Sequence, residues 1–144
     1  MQLSEHFTLE EFVYSDTAKA RKIDNTPSTA VKSNLTRLAV ALESVRAAVK
    51  APLTISSGYR SPVLNKAVGG ASNSAHLTGL AADITAKGYT PRQLAEAIIK
   101  AGIKFDQLIY EGTWVHFGLS AGVGRQQVLT ATFNKGKASY SVGM

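Results

Sequence analysis

Histidine occurs at positions 6, 76 and 116, and cysteine is absent. Any metal site in this chain must therefore draw on His, Asp, Glu and water, and disulfides are excluded. In Ser74-Ala75-His76-Leu77-Thr78-Gly79-Leu80-Ala81-Ala82-Asp83 a His and an Asp stand seven positions apart across a glycine. A continuous helix would put both on one face, but Gly79 and the Gly/Ser/Asn-rich stretch before it point to a loop running into a strand. His76 then belongs to the loop and Asp83 to the strand. Gly79, Ala81 and Ala82 are small enough for neighbouring backbone to come close.

The third candidate lies in Trp114-Val115-His116-Phe117-Gly118, an apolar strand pattern. A neutral imidazole between Val115 and Phe117 needs a partner for its acceptor nitrogen, and a metal supplies one. Two His and one carboxylate are a common catalytic zinc set, with a fourth position left for a water that the ion acidifies toward neutrality. His6 precedes a capped helix, has no carboxylate at ligand spacing, and is expected at the surface.

A proton acceptor is also required. If Gly112-Thr113 is a two-residue hairpin loop, Glu111 pairs with Trp114 and Ile109 with His116, so that Glu111 and His116 project to the same side. Such diagonal neighbours stand roughly 7–8 Å apart, a gap that a Glu side chain and a metal-bound water can close. The same alternation turns Asp106 to the opposite face. Arg60, in Ser57-Gly58-Tyr59-Arg60, offers a planar fork for a substrate carboxylate or a peptide carbonyl. Tyr59 and Trp114 are placed to line a substrate groove, although aromatics in strands and turns also serve packing.

These groups need a scaffold, and the sequence outlines one. Thr8-Leu9-Glu10-Glu11 has the form of a capping box and predicts a short helix over about 8–14. Thr26-Pro27 reads as a cap and a first-turn proline, followed by Val31, Leu35, Leu38, Leu42, Val45 and Val49 at alternating steps of four and three. That stripe predicts a long helix with one face in the core. Residues 53–57 alternate as a strand, Ser61-Pro62 starts a helical turn that Gly69-Gly70 stops, and residues 69–79 read as a loop before a strand at about 80–85. Thr90-Pro91 opens another helix, with Leu94, Ala97 and Ile98 inward and Gly102 as its stop. Strands are expected over 106–111, 114–119, 127–133 and 137–142. Helices mainly first and strands mainly last favour an α+β fold with an antiparallel sheet.

A length of 144 residues and 44% hydrophobic content suit one domain, residues 1–144, around one core. No apolar run approaches the roughly 20 residues of a membrane span, and no signal-peptide pattern is expected. The net charge of +6 favours polyanionic surroundings, but the basic residues, among them Lys19, Arg21, Lys22, Lys135 and Lys137, form no nucleic-acid-binding run.

Taken together, Ser56-Ser57-Gly58-Tyr59-Arg60-Ser61, Gly69-Gly70, Ser74-x-His76-x-x-Gly79-x-Ala81-x-Asp83 and Trp114-Val115-His116 resemble the zinc D-Ala-D-Ala carboxypeptidase family and its phage endolysin relatives. Phe7-Thr8-Leu9-Glu10-Glu11-Phe12 and Asp24-Asn25-Thr26-Pro27 resemble the small phage and prophage branch, so the likeness covers residues 6–119. It implies a Hedgehog-like α+β peptidase domain with helices packed on one side of the sheet. It also implies one zinc ion on His76, Asp83 and His116, and hydrolysis of peptidoglycan stem peptides at D-Ala-D-Ala or at L-Ala-D-Glu. Arg60 matches the family's arginine that acts on substrate or transition state, with Ser74, Tyr59 and Trp114 as further substrate contacts. Many members carry the catalytic acid three residues before the last ligand, which is Thr113 here. The hairpin argument assigns that role to Glu111 instead, and a zinc-stabilised wall-binding module without catalysis stands as the alternative. As an endolysin, the protein is expected to be a monomer made in the host cytoplasm without a signal peptide. It would act at the cell wall once a separate protein permeabilises the membrane.

Overall fold

The computed structural model describes residues 1–134 and 137–144, and Lys135 therefore lies outside the described residues. Thr8 accepts from the backbone N–H of Glu11, and the Glu11 side chain reaches back to the Thr8 N–H, which starts α1 (Leu9–Val13) as its capping box predicts. A second short helix, α2 (Asp16–Arg21), was not anticipated; Ser15 caps it, and Lys22 ends it in the left-handed region at φ 54°.

The long helix α3 (Thr29–Val49) begins two residues later than Thr26-Pro27 suggested. Ser28 is its cap, accepting from the Val31 N–H. Its stripe is as expected: Leu35, Leu38, Leu42 and Val45 are fully buried and Val49 nearly so. Each such side chain contributes about 1.5–3 kcal/mol relative to exposure. Val31 is only half-buried, while Ala39 joins the buried face.

Then follow β1 (Leu53–Ser57), α4 (Pro62–Ala67) capped by Ser61, and β2 (Ala81–Ala86). Within the expected loop a 3₁₀ helix forms over Ala75–Thr78. Helix α5 (Pro91–Lys100) starts at a capping box of Thr90 with Gln93 and buries Leu94, Ala95 and Ile98, with Ala97 half-buried against the same core. Strands β3 (Gln107–Tyr110), β4 (Val115–Gly118), β5 (Gln127–Asn134) and β6 (Lys137–Val142) complete the chain.

Among the described residues the six strands form one sheet in the order β1-β2-β4-β3-β5-β6. Helices and a largely antiparallel sheet make this an α+β domain, consistent with the expected peptidase fold. One pair departs from the antiparallel expectation: β3 and β5 run parallel, with Ile109 opposite Leu129. The reason lies in the β3–β4 hairpin, which returns the chain at Gly118 to the level of Gln107, where β3 began. A short loop from there launches β5 in the direction of β3. Asp106 pins this loop through a two-pronged ion pair with Arg125, both contacts 2.9 Å.

Alternation along the strands divides the sheet into two unlike faces. Ala82, Ile84, Leu108, Val115 and Phe117 belong to the hydrophobic core that includes the buried residues of α3 and α5. The intervening positions form one row across the other face, where Asp83 pairs with His116 and His116 with Ile109.

Candidate functional site

The row Asp83–His116 receives His76 from the 3₁₀ turn. Ser74 caps that turn by accepting from the His76 N–H over 3.2 Å. Gly79 closes it at φ 77°, where a Cβ would stand 2.9 Å from Val31 Cγ1, so both conformation and space require glycine. The three residues are buried, His76 to 2% exposure and Asp83 and His116 to 9% each.

His76 Nδ1 lies 2.6 Å from the Gly58 carbonyl. A carbonyl can only accept, so Nδ1 carries the proton and the neutral ring presents the Nε2 lone pair on its other side. That Nε2 stands 3.3 Å from Asp83 Oδ1, and His116 Nδ1 stands 3.2 Å from the same oxygen. One donor atom from each residue fits within a mutual separation of 4.8 Å. Nitrogen and oxygen ligands about 2.0–2.1 Å from a tetrahedral zinc are about 3.3 Å from one another. The residues therefore fit a zinc ion in donor type, spacing and tautomer. Burial works to raise the Asp83 carboxyl, but its contacts with His116 and then His76 outweigh burial and hold it well below the ordinary carboxylate range.

The hairpin that places Glu111 forms as expected. Tyr110 pairs with Val115 and Ile109 with His116. Beyond them the Glu111 N–H donates to the Trp114 carbonyl over 3.1 Å, and Gly112 turns at φ 85°. Glu111 is half-buried, whereas Thr113 is exposed in the turn. Burial, and then the charge of Asp83, push the Glu111 carboxyl above its ordinary value; a hydrogen bond from the Trp114 indole, 2.8 Å, partly opposes this. A carboxyl raised in this way beside a metal-ligand set can serve as a proton carrier.

Arg60 approaches from the β1 side. Its backbone N–H donates to the His76 carbonyl over 3.0 Å, and its Nη2 donates to Ser74 Oγ over 3.3 Å. Its Nε is buried and, among the described residues, unpaired. Burial lowers the guanidinium, while Asp83 and Glu111 oppose that by their charge, so the cation lies in the field of both carboxylates.

Two candidates differ from expectation. Tyr59 is only 8% exposed and belongs to the hydrophobic core, so its ring has little surface to offer a substrate. Ser74 caps the His76 turn and receives Arg60, two duties inside the protein. Trp114 is half-buried with its N–H given to Glu111. Asp106 is bound to Arg125 and stays out of the site, and His6 bonds through Nδ1 to Glu43 at 2.7 Å, far along the chain from any site residue. Sequence reasoning assigned no role to Asn25, whose side chain bonds to the backbone on both sides of Arg60. The Asp24-Asn25-Thr26-Pro27 string was the available signal.

The family described as Peptidase M15 matches residues 5–118. A zinc D-Ala-D-Ala carboxypeptidase of Streptomyces albus G is 39% identical over 77 residues, which are 51% of this chain and 29% of that protein. The chain thus matches under a third of that relative's length. Since the match over residues 5–118 spans most of the 144-residue chain, the chain belongs to the peptidase M15 family.

Proposed function

We propose that the protein is a peptidase of bacterial cell walls that hydrolyses peptidoglycan stem peptides with one zinc ion held by His76 Nε2, Asp83 Oδ1 and His116 Nδ1. The observation that carries the reading is the juxtaposition of Asp83 Oδ1 at 3.3 Å from His76 and 3.2 Å from His116 with a half-buried Glu111 of raised pKa beside them. When bound, zinc supplies a Lewis acid and brings the acidity of a water toward neutrality.

The chain's own residues do the rest. Glu111 takes the proton of the attacking water and delivers it to the nitrogen of the leaving amine. Arg60, its free donors next to the two carboxylates, holds the substrate carboxylate or the oxygen of the carbonyl under attack. Trp114 fixes the Glu111 carboxylate and offers its remaining ring surface to the substrate. Ser74 supports Arg60.

The name of the Streptomyces relative favours D-Ala-D-Ala as the bond cut, with L-Ala-D-Glu as the second possibility carried by the likeness to phage enzymes. That likeness, in Phe7 to Phe12 and Asp24 to Pro27, supports a monomeric phage endolysin whose action on the wall lyses the host. Among the described residues no helix is long and apolar enough to cross a membrane, and the net charge of +6 suits an anionic wall.

Digestion of purified peptidoglycan, with the new termini identified by mass spectrometry, tests activity and bond together. New amino termini should appear with the wild type and vanish with His76→Ala or exhaustive chelation. Turnover that survives both would sink the reading. Glu111→Gln should bind zinc without turnover; a wild type that binds wall and zinc but releases nothing is the wall-binding module instead.

A further inference from the structure

Arg60 reaches the site with little side-chain support. Among the described residues its only side-chain hydrogen bond is the 3.3 Å contact of Nη2 with Ser74 Oγ, and its buried Nε has no partner. The direction of the guanidinium is therefore set mainly by the backbone from which it springs. Four hydrogen bonds hold the backbone N–H groups of residues 59–61 and the Tyr59 carbonyl, while the Ser61 carbonyl and hydroxyl serve the start of α4. Tyr59 N–H donates to the Phe12 carbonyl over 2.7 Å, and Arg60 N–H to the His76 carbonyl over 3.0 Å. The other two come from one side chain: Asn25 Nδ2 donates to the Tyr59 carbonyl over 3.1 Å, and Asn25 Oδ1 accepts from the Ser61 N–H over 2.7 Å. Asn25 Nδ2 also donates to the Val13 carbonyl over 2.9 Å, which ties the bracket to the end of α1.

The orientation of this amide is unambiguous. Two carbonyls face one end and an N–H the other, so a flipped amide would set N–H against N–H and oxygen against oxygen. Aspartate keeps the acceptor for Ser61 but turns a carboxylate oxygen on two carbonyls. Alanine leaves three backbone groups without partners.

We propose that Asn25 is the positioning residue of Arg60: by clamping the peptide groups on both sides of it, Asn25 aims the guanidinium at the site. Asn25 touches neither substrate nor metal. The inference rests on the role given to Arg60 in the proposed reaction. Displacement of a positioned group by about 1 Å can cost roughly 100-fold in rate.

A double-mutant cycle on stem-peptide hydrolysis tests it, with zinc content and melting temperature measured for every variant. Asn25→Ala should lose most of the activity that Arg60→Ala loses while holding zinc as the wild type does, and Asn25→Ala/Arg60→Ala should be no slower than Arg60→Ala. Losses that multiply, or an Asn25→Ala enzyme with wild-type kcat and KM, would overturn the proposal. If Asn25→Ala does not fold, Asn25→Asp takes its place in the cycle. Failure of both to fold also overturns it, since Asn25 would then serve the fold rather than Arg60. A readout independent of turnover is the Arg60 Nε–H resonance of the zinc-loaded protein. It should be a protected cross-peak in the wild type and shift or broaden in the Asn25 variant; an unchanged peak counts against the clamp. A wild type that cleaves no stem peptide refutes the peptidase reading alone, and the resonance then decides the role of Asn25.

Discussion

The indole N–H of Trp114 donates to Oε2 of Glu111 over 2.8 Å across the Gly112–Thr113 turn, so the residue that faces Glu111 in the hairpin also holds its carboxylate. Trp114→Phe keeps most of the ring and removes this donor. One hydrogen bond to a charged group contributes about 1.5–3 kcal/mol, so kcat should fall roughly tenfold or more. Because the indole opposes the upward shift of Glu111, its loss should also move the acid limb of the kcat/KM profile to higher pH. Steady-state kinetics across pH measure both; a variant with wild-type kcat and an unmoved limb would show the contact to be idle.

Glu111 also links activity to stability. Its carboxyl is raised on folding, chiefly by burial and then by Asp83, so the fold favours the protonated form. The sign follows: that stability is fully present below the unfolded pKa and is lost as pH rises through the folded value. In metal-free protein, Glu111→Gln should melt higher than the wild type at neutral pH, and the gap should close on acidification. Thermal melts of both proteins at about pH 8 and about pH 5 give the comparison. A variant less stable than the wild type at neutral pH would contradict the argument.

Metal binding should appear as stability as well as activity. Ligand that binds only the folded state adds about 2.7 kcal/mol at a hundredfold excess over Kd. For a chain of this size that raises Tm by roughly 5–10 °C. Chelation should remove the increment and zinc should restore it. Asp83→Asn, which takes away the charge between the two histidines, should melt at one temperature with or without zinc. A zinc-dependent shift that persists in Asp83→Asn would place the ion elsewhere.

Gly58 carries a steric demand at the site. A Cβ there would lie 2.4 Å from the Phe12 carbonyl oxygen, and the Gly58 carbonyl is the acceptor for His76 Nδ1. The atoms that this Cβ would meet are all Phe12 backbone, not a flexible side-chain end. Gly58→Ala should cost about 1–3 kcal/mol in urea unfolding and weaken zinc affinity, because the acceptor that sets the His76 tautomer moves. Gly88→Ala serves as the comparison, since no atom lies within 4 Å of its Cβ and only its φ of 82° resists the change. Equal zinc affinity in the Gly58 variant and the wild type would count against this coupling.

Local signals were the readable ones. The capping box at Thr8, the helix start at Thr90-Pro91 and the stripe from Leu35 to Val49 depend on neighbours within one or two helical turns, and they stand where expected. The hairpin of Glu111 was legible for the same reason, since a two-residue turn fixes register over a few positions. The start of α3 slipped because Ser28 and Thr26 are both competent caps two residues apart, and residue type alone does not choose between them. The 3₁₀ turn at Ala75–Thr78 was hidden because one short turn has no periodicity to read.

By itself the sequence determined the kind of chemistry: two histidines, an aspartate and a glutamate at spacings that a strand, a loop and a hairpin bring to one face, with no cysteine to compete. The tertiary structure decided what each neighbour does. It turned Tyr59 into the core, gave Ser74 to Arg60 and the Trp114 N–H to Glu111, ran β5 parallel to β3, and set Asn25 astride Arg60. Side-chain contacts between residues such as 25 and 61 join segments that no local periodicity links. They exist only once the core has packed and fixed the distance between those segments, and a reading of spacing and residue type has no access to that distance.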